Sequence, residues 1–245
     1  MINELLDLKN KFETIKKNGK NKSLRKSTTG LGYTFETLLN KKEDNKFLPD
    51  YKGIEIKTKL GYSKYGISLF TLTPRSNNNE LAINRIYNNY SYKKDQFRSF
   101  KGNVYSKSTN IIGNKYILKT KIDYENKKII LLISDINLNL LDDTIYWTFD
   151  SIKERLYTKL QYLALIKGYP YRINNTTYYK YTNIDFYKLT NFENFIYLLE
   201  NDLIYITFNI STYKSGKLKG NIHDHGTSFR IRTIALDILF DEIII

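Results

Sequence analysis

The chain has 245 residues, 41% hydrophobic and 15% aromatic, a composition that excludes intrinsic disorder. With no cysteine, disulfides and thiolate metal sites are excluded, and a reducing cytoplasm is the expected location. A formal net charge of +14 suggests a polyanionic partner such as nucleic acid, although only eight of the 39 basic residues are arginine and AT-rich coding DNA also favours lysine.

In chain order, residues 2–17 place Ile2, Leu5, Leu6, Leu8 and Phe12 near one helical face and predict an amphipathic helix. The segment lacks the apolar stretch of a signal peptide, and no window approaches the run of about 18 apolar residues of a membrane span. After the basic connector KNGKNKSLRKSTTG, a second helix is predicted from Thr28 or Thr29, with Phe35, Leu38 and Leu39 apolar and Glu36 off that face. Strands are predicted at 53–58, 67–73, 115–123 and 128–134, the last two flanking YEN as a hairpin. Residues 76–110, rich in asparagine, serine and tyrosine, read as loops. The stretch DSIKERLYTKLQYLALI, residues 150–166, reads as one helix with Ser151 and Glu154 as a capping box and Ile152, Leu156, Leu160 and Leu163 as its stripe. A helix over 191–201 and a strand over 203–211 follow, then the basic turn KSGKLKG and the segment NIHDHGTSFRIR. No linker or repeat appears. The expectation is an α/β fold forming a single two-lobed unit over residues 1–245.

The stretch PDYKGIEIKTK, residues 49–59, carries the first chemical signal. On a strand, Ile54 and Ile56 point to one face and Glu55, Lys57 and Lys59 to the other, with Glu55 and Lys57 roughly 7 Å apart. Asp50 precedes the strand, where a turn brings its carboxylate alongside Glu55. Two carboxylates in one site repel, and a hard divalent cation between them relieves that repulsion. Such a cation and a neighbouring lysine are the means to activate water on a phosphate. The same alternation also describes an ordinary surface strand.

The only two histidines, His223 and His225, share the stretch HDHGTSFRIR with Asp224 and Arg230. These residue types supply base readout, because imidazole donates and accepts, aspartate accepts from cytosine and arginine pairs with guanine. A His-x-His metal site or a plain polar turn are the competing readings. Lys214, Lys217 and Lys219 in the preceding turn suit phosphate contacts.

Five blocks in order, TTGLGYTFETLL, LPDYKGIEIKTK, ISLFTLTP, YWTFDSIKERLYTKLQY and SGKLKGNIHDHGTSFRI, resemble the MvaI/BcnI type II restriction endonucleases, relatives of the mismatch-repair nickase MutH. The resemblance implies a PD-(D/E)xK nuclease: a restriction-endonuclease-like mixed sheet flanked by helices, with two lobes clamping DNA. Its catalytic elements would fall chiefly in 28–74 and 146–166, and its base-reading elements in 203–232. Asp50 and Glu55 would be metal-binding carboxylates, Lys57 the catalytic lysine and Glu36 an additional active-site acid. His223, Asp224, His225 and Arg230 would read bases, Lys159 would approach the scissile phosphate, and Lys217 and Lys219 would contact DNA. Asn209 stands where arginine is expected, so the outer base pair of the site is changed or relaxed, or another side chain reaches that guanine. The implied cofactor is Mg²⁺, with Mn²⁺ as substitute. The implied partners are double-stranded DNA and a cognate DNA methyltransferase, and the implied state is a monomer. The implied target is a short GC-containing pseudopalindrome with one central base pair, cut to leave 5′-phosphate ends. A MutH-like repair nickase, a non-catalytic DNA-binding module and a small-molecule metalloenzyme remain as alternatives.

Overall fold

A computed structural model describes residues 1–27, 29–40, 48–77, 80–94 and 96–245, with the side chain of Lys94 left aside. Thr28, one of the two expected helix starts, lies outside the described residues.

Helix α1 (Ile2–Asn18) and strand β1 (Asn21–Lys22) precede helix α2 (Gly30–Leu38). Strands β2 (Glu55–Leu60), β3 (Ile67–Thr71) and β4 (Arg75–Ser76) lead to helix α3 (Ala82–Tyr90). Strands β5 (Tyr92–Lys94), β6 (Phe97–Val104), β7 (Asn110–Ile112), β8 (Tyr116–Asp123), β9 (Lys128–Asp135) and β10 (Leu140–Thr148) follow. Helix α4 (Phe149–Lys159) connects to the long strands β11 (Tyr162–Ile173) and β12 (Thr176–Leu189). Then come α5 (Phe192–Glu200), β13 (Ile204–Thr212), β14 (Ile222–Asp224), β15 (Ser228–Ile231), α6 (Leu236–Leu239) and β16 (Phe240–Ile243). This is a mixed α/β fold. No helix among the described residues is long and apolar enough to cross a membrane.

Three expectations are corrected. Residues 76–110 are not simply loops, because they contain α3 and β6. Their apolar residues obey the right periods, with Ala82, Ile86, Tyr87 and Tyr90 buried along α3, but asparagines between them mask the pattern. The predicted helix over 150–166 ends at Lys159, and Tyr162 opens β11. The run Leu163–Ile166 is buried throughout, with β12 on one side and β2 on the other, and a continuous apolar run has no period to separate strand from helix. The cap of α4 is also displaced. Thr148 Oγ1 accepts from the Ser151 backbone N–H at 3.2 Å, and Ser151 Oγ donates to the Thr148 carbonyl at 2.8 Å.

The chain divides into two compact units, one built from residues 1–67, 156–191 and 236–245, the other from 68–155 and 192–235. In the first, the sheet runs β1-β12-β11-β2, with β16 also pairing β12. Leu5, Leu8 and Phe12 of α1 and Leu31 and Phe35 of α2 pack with Ile54, Ile56, Ala164 and Ile166 in its core. In the second unit, one sheet runs β4-β10-β9-β8-β7 and another β3-β15-β13-β6-β5, with β14 also pairing β13. An aromatic cluster fills its core: Phe229 lies 5.0 Å from Phe70 and 5.5 Å from Trp147 between ring centroids. The Trp147 indole N–H is satisfied by the Leu72 carbonyl at 2.9 Å.

Candidate active site

Among the described residues β2 ends its sheet and pairs with β11 alone, in parallel, with Glu55 opposite Leu163 and Lys57 opposite Leu165. An end strand leaves backbone groups unpaired on its outer side. Here a tight turn supplies a partner. Tyr51 and Ile54 exchange backbone hydrogen bonds of 2.9 and 2.8 Å, and Gly53 between them adopts φ +88°, a left-handed conformation that suits glycine. The turn folds the chain back so that Asp50 Oδ2 accepts the Ile56 N–H at 3.1 Å. Asp50 is thereby fixed beside the strand that bears Glu55.

Glu55 is 1% exposed. Its Oε1 receives Lys57 Nζ at 2.5 Å and lies 3.4 Å from Lys159 Nζ, at the end of α4. Its Oε2 is buried and accepts no hydrogen bond among the described residues. Burial, the largest influence, pushes the Glu55 carboxyl above its usual range; Lys57 and Lys159 pull it back, while the Asp50 charge adds to the rise. A buried acceptor without a partner costs about 1–3 kcal/mol, so Oε2 is a costly group that meets no donor among the described residues. Glu36 stands on α2 near Thr58: a methyl group on Gly32 would meet Thr58 Oγ1 at 3.0 Å and Glu36 Oε1 at 3.6 Å.

The residue types fit a hard cation. Among the described residues no three His, Asp or Glu side chains are grouped to hold a metal. Mg²⁺ does not need such a cage, because it binds through one or two carboxylates and fills its other positions with water and phosphate oxygens. Zinc in a His-x-His site needs a third protein ligand, which the histidines lack among the described residues.

The histidine segment lies in the second unit. His223 is on β14 opposite Ser211, and His225 follows the strand, its N–H donating to the Asn209 carbonyl at 3.1 Å. Tyr213 and His223 stack with ring centroids 3.9 Å apart, and the tilted His225 ring lies 3.8 Å from that of His223. Burial lowers the His225 pKa, the His223 and Lys101 charges lower it further, and Asp224 opposes them. Asp224 Oδ1 accepts the Gly226 N–H at 2.9 Å. Arg230 lies on β15 opposite Tyr205, Asn209 on β13 opposite Lys101, and Lys217 and Lys219 on an exposed turn. Asp50, Glu55, Lys57 and Lys159 thus come together in one unit, and His223, Asp224, His225 and Asn209 in the other. Tyr213 and Lys101 were not singled out from sequence, since neither carries a local motif and Lys101 falls in the stretch read as loop.

No curated protein matches the chain. A solved complex of restriction endonuclease MvaI with its cognate DNA substrate superimposes with a TM-score of 0.92 at 33% identity, covering 99% of this chain and 98% of that one. MvaI in the absence of DNA superimposes with a TM-score of 0.63 at the same identity and coverage. The sequence model of the MvaI/BcnI restriction endonuclease family matches residues 9–240, which takes in β2, α4 and the histidine segment alike. On that match, reaching across both units, the chain belongs to the MvaI/BcnI restriction endonuclease family.

Proposed function

We propose that this restriction endonuclease is a Mg²⁺-dependent type II enzyme, with Mn²⁺ as substitute, that cuts double-stranded DNA at a short GC-containing pseudopalindrome with one central base pair. The observation that carries the reading is Glu55, a buried carboxylate with one oxygen engaged by two lysines and the other without a partner among the described residues, beside the turn-fixed Asp50. Asp50 and Glu55 Oε2 would hold the cation. When bound, it polarises the scissile phosphate and lowers the pKa of a bound water.

The chain's own residues supply the rest. Lys57 orients the attacking water, and Lys57 and Lys159 place two ammonium groups where negative charge accumulates on the phosphoryl oxygens. Water gives up a proton to solvent and attacks phosphorus in line, the bond to O3′ breaks, and O3′ takes up a proton from solvent, leaving 5′-phosphate and 3′-hydroxyl ends. His223, Asp224, His225 and Arg230 read bases, and Lys217 and Lys219 set the register on phosphates. Glu36 assists from α2. The enzyme acts as a monomer that nicks one strand and rebinds to cut the other, and a cognate methyltransferase protects host DNA.

The test is a digest of unmethylated plasmid with Mg²⁺, with EDTA and Asp50→Ala controls, followed by sequencing of the fragment ends. Discrete Mg²⁺-dependent fragments with a shared motif and 5′-phosphates are expected. Asp50→Ala should lose at least about 10²–10³-fold in rate, as sites that lose one electrostatic stabiliser do, while still binding DNA in Ca²⁺. Wild-type cutting by Asp50→Ala would sink the site assignment.

A further inference from the structure

Strands β13 and β6 run antiparallel, with Asn209 opposite Lys101 and Thr207 opposite Asn103. Directly opposed residues share a face of the sheet. Their alternating neighbours Phe208 and Phe100 are 1% and 0% exposed and fill the core, so Lys101, Asn103, Thr207 and Asn209 form a row on the outer face. Thr207 Oγ1 donates to Asn103 Oδ1 at 2.9 Å, and Asn110 Nδ2 donates to the Asn103 carbonyl at 2.8 Å, which ties the row into place. The row lines an open cleft of about 530 Å³.

Lys101 is the cation in this neutral, hydrogen-bonding row. Its side chain is exposed. It is held on β6 opposite Asn209 of β13, unlike Lys217 and Lys219 on their exposed turn. The histidine pair adjoins it, since the His225 N–H bonds to Asn209 and the Lys101 charge acts on the His225 ring. A long cation beside an amide and two imidazoles is the donor set for a guanine edge, whose O6 and N7 are both acceptors in the major groove. A lysine that only met phosphate would need no such row around it.

We propose that Lys101 is a specificity-determining residue that, together with Asn209, reads one guanine of the recognition site through O6 and N7. This rests on the site-specific nuclease reading above. The experiment is a digest of duplexes randomised around the wild-type motif, using the full chain and its Lys101→Met and Lys101→Arg variants, with cleaved and uncleaved pools sequenced. Lys101→Met should lose its guanine preference at one position, with discrimination there falling roughly 5- to 150-fold and the other positions unchanged. Lys101→Arg should retain the preference, and neither variant should shift thermal unfolding.

A uniform loss across all sequences, with a salt slope reduced by about 1, would make Lys101 a phosphate contact and overturn the proposal. A Lys101→Met enzyme with the wild-type motif and rate overturns the proposal alone. A wild type that cuts without any motif overturns the reading beneath it as well.

Discussion

Glu55 shows how a single side chain is held at a cost. Burial raises its carboxyl pKa, with Asp50 adding to the rise against the pull of Lys57 and Lys159. An acid whose folded pKa lies above its unfolded value stabilises the fold below the unfolded pKa, and that contribution is lost as pH rises through the folded pKa. Glu55→Gln removes the penalty at neutral pH, so in EDTA the variant should unfold at higher temperature than the wild type while failing to cleave. A lower midpoint would make Glu55 a structural anchor. Asp202 is the opposite case. Burial would raise its carboxyl, but the Ser108 hydroxyl and the backbone N–H groups of Lys107, Ser108 and Ser106 outweigh it and hold the pKa low. Its stabilisation is complete above the ordinary aspartate value and lost as pH falls through the depressed one. Asp202→Asn should therefore cost about 1.5–3 kcal/mol at neutral pH, measured by denaturant unfolding, and the gap to wild type should close in acid. A gap that persists at low pH would assign the effect to packing.

At the scale of elements, α4 joins both the correct and the incorrect parts of the sequence reading. Its start was legible as a cap, but the cap is Thr148, three residues before the serine the pattern pointed to. Thr148→Ala is expected to cost about 0.5–2 kcal/mol of stability by denaturant unfolding, and Thr148→Ser to recover most of it; equal stability of all three would remove the capping role. Its end was illegible, because β11 begins in an apolar run without a period. The Asp50, Glu55 and Lys57 group was readable because a turn and one strand bring its members together within a few residues. Lys159 was weaker from sequence, since its meeting with Glu55 depends on β2 lying against β11. Lys101 was beyond reach because its significance comes from the residue across the ladder.

For the whole molecule, the formal charge of +14 carries a measurable expectation. A protein making about 6–10 phosphate contacts loses about 10³–10⁵ in DNA affinity between about 50 and 200 mM salt, and this chain should fall in that range in Ca²⁺. A shallow dependence would mean that the lysines chiefly reflect coding bias. The order in which the chain visits its two units has a further consequence. Glu55 finds its ladder partner only at Leu163, after the whole of residues 68–155 has been laid down in the other unit. Non-local parallel pairing forms slowly, because the intervening loop must close before any contact rewards it. On the ribosome, a chain that has emerged only as far as Arg155 has Asp50, Glu55 and Lys57 but no β11 to hold them and no Lys159 to face them. On the site proposed above, a half-made copy would lack the assembled constellation, and cleavage would wait until β11 and Lys159 have been made.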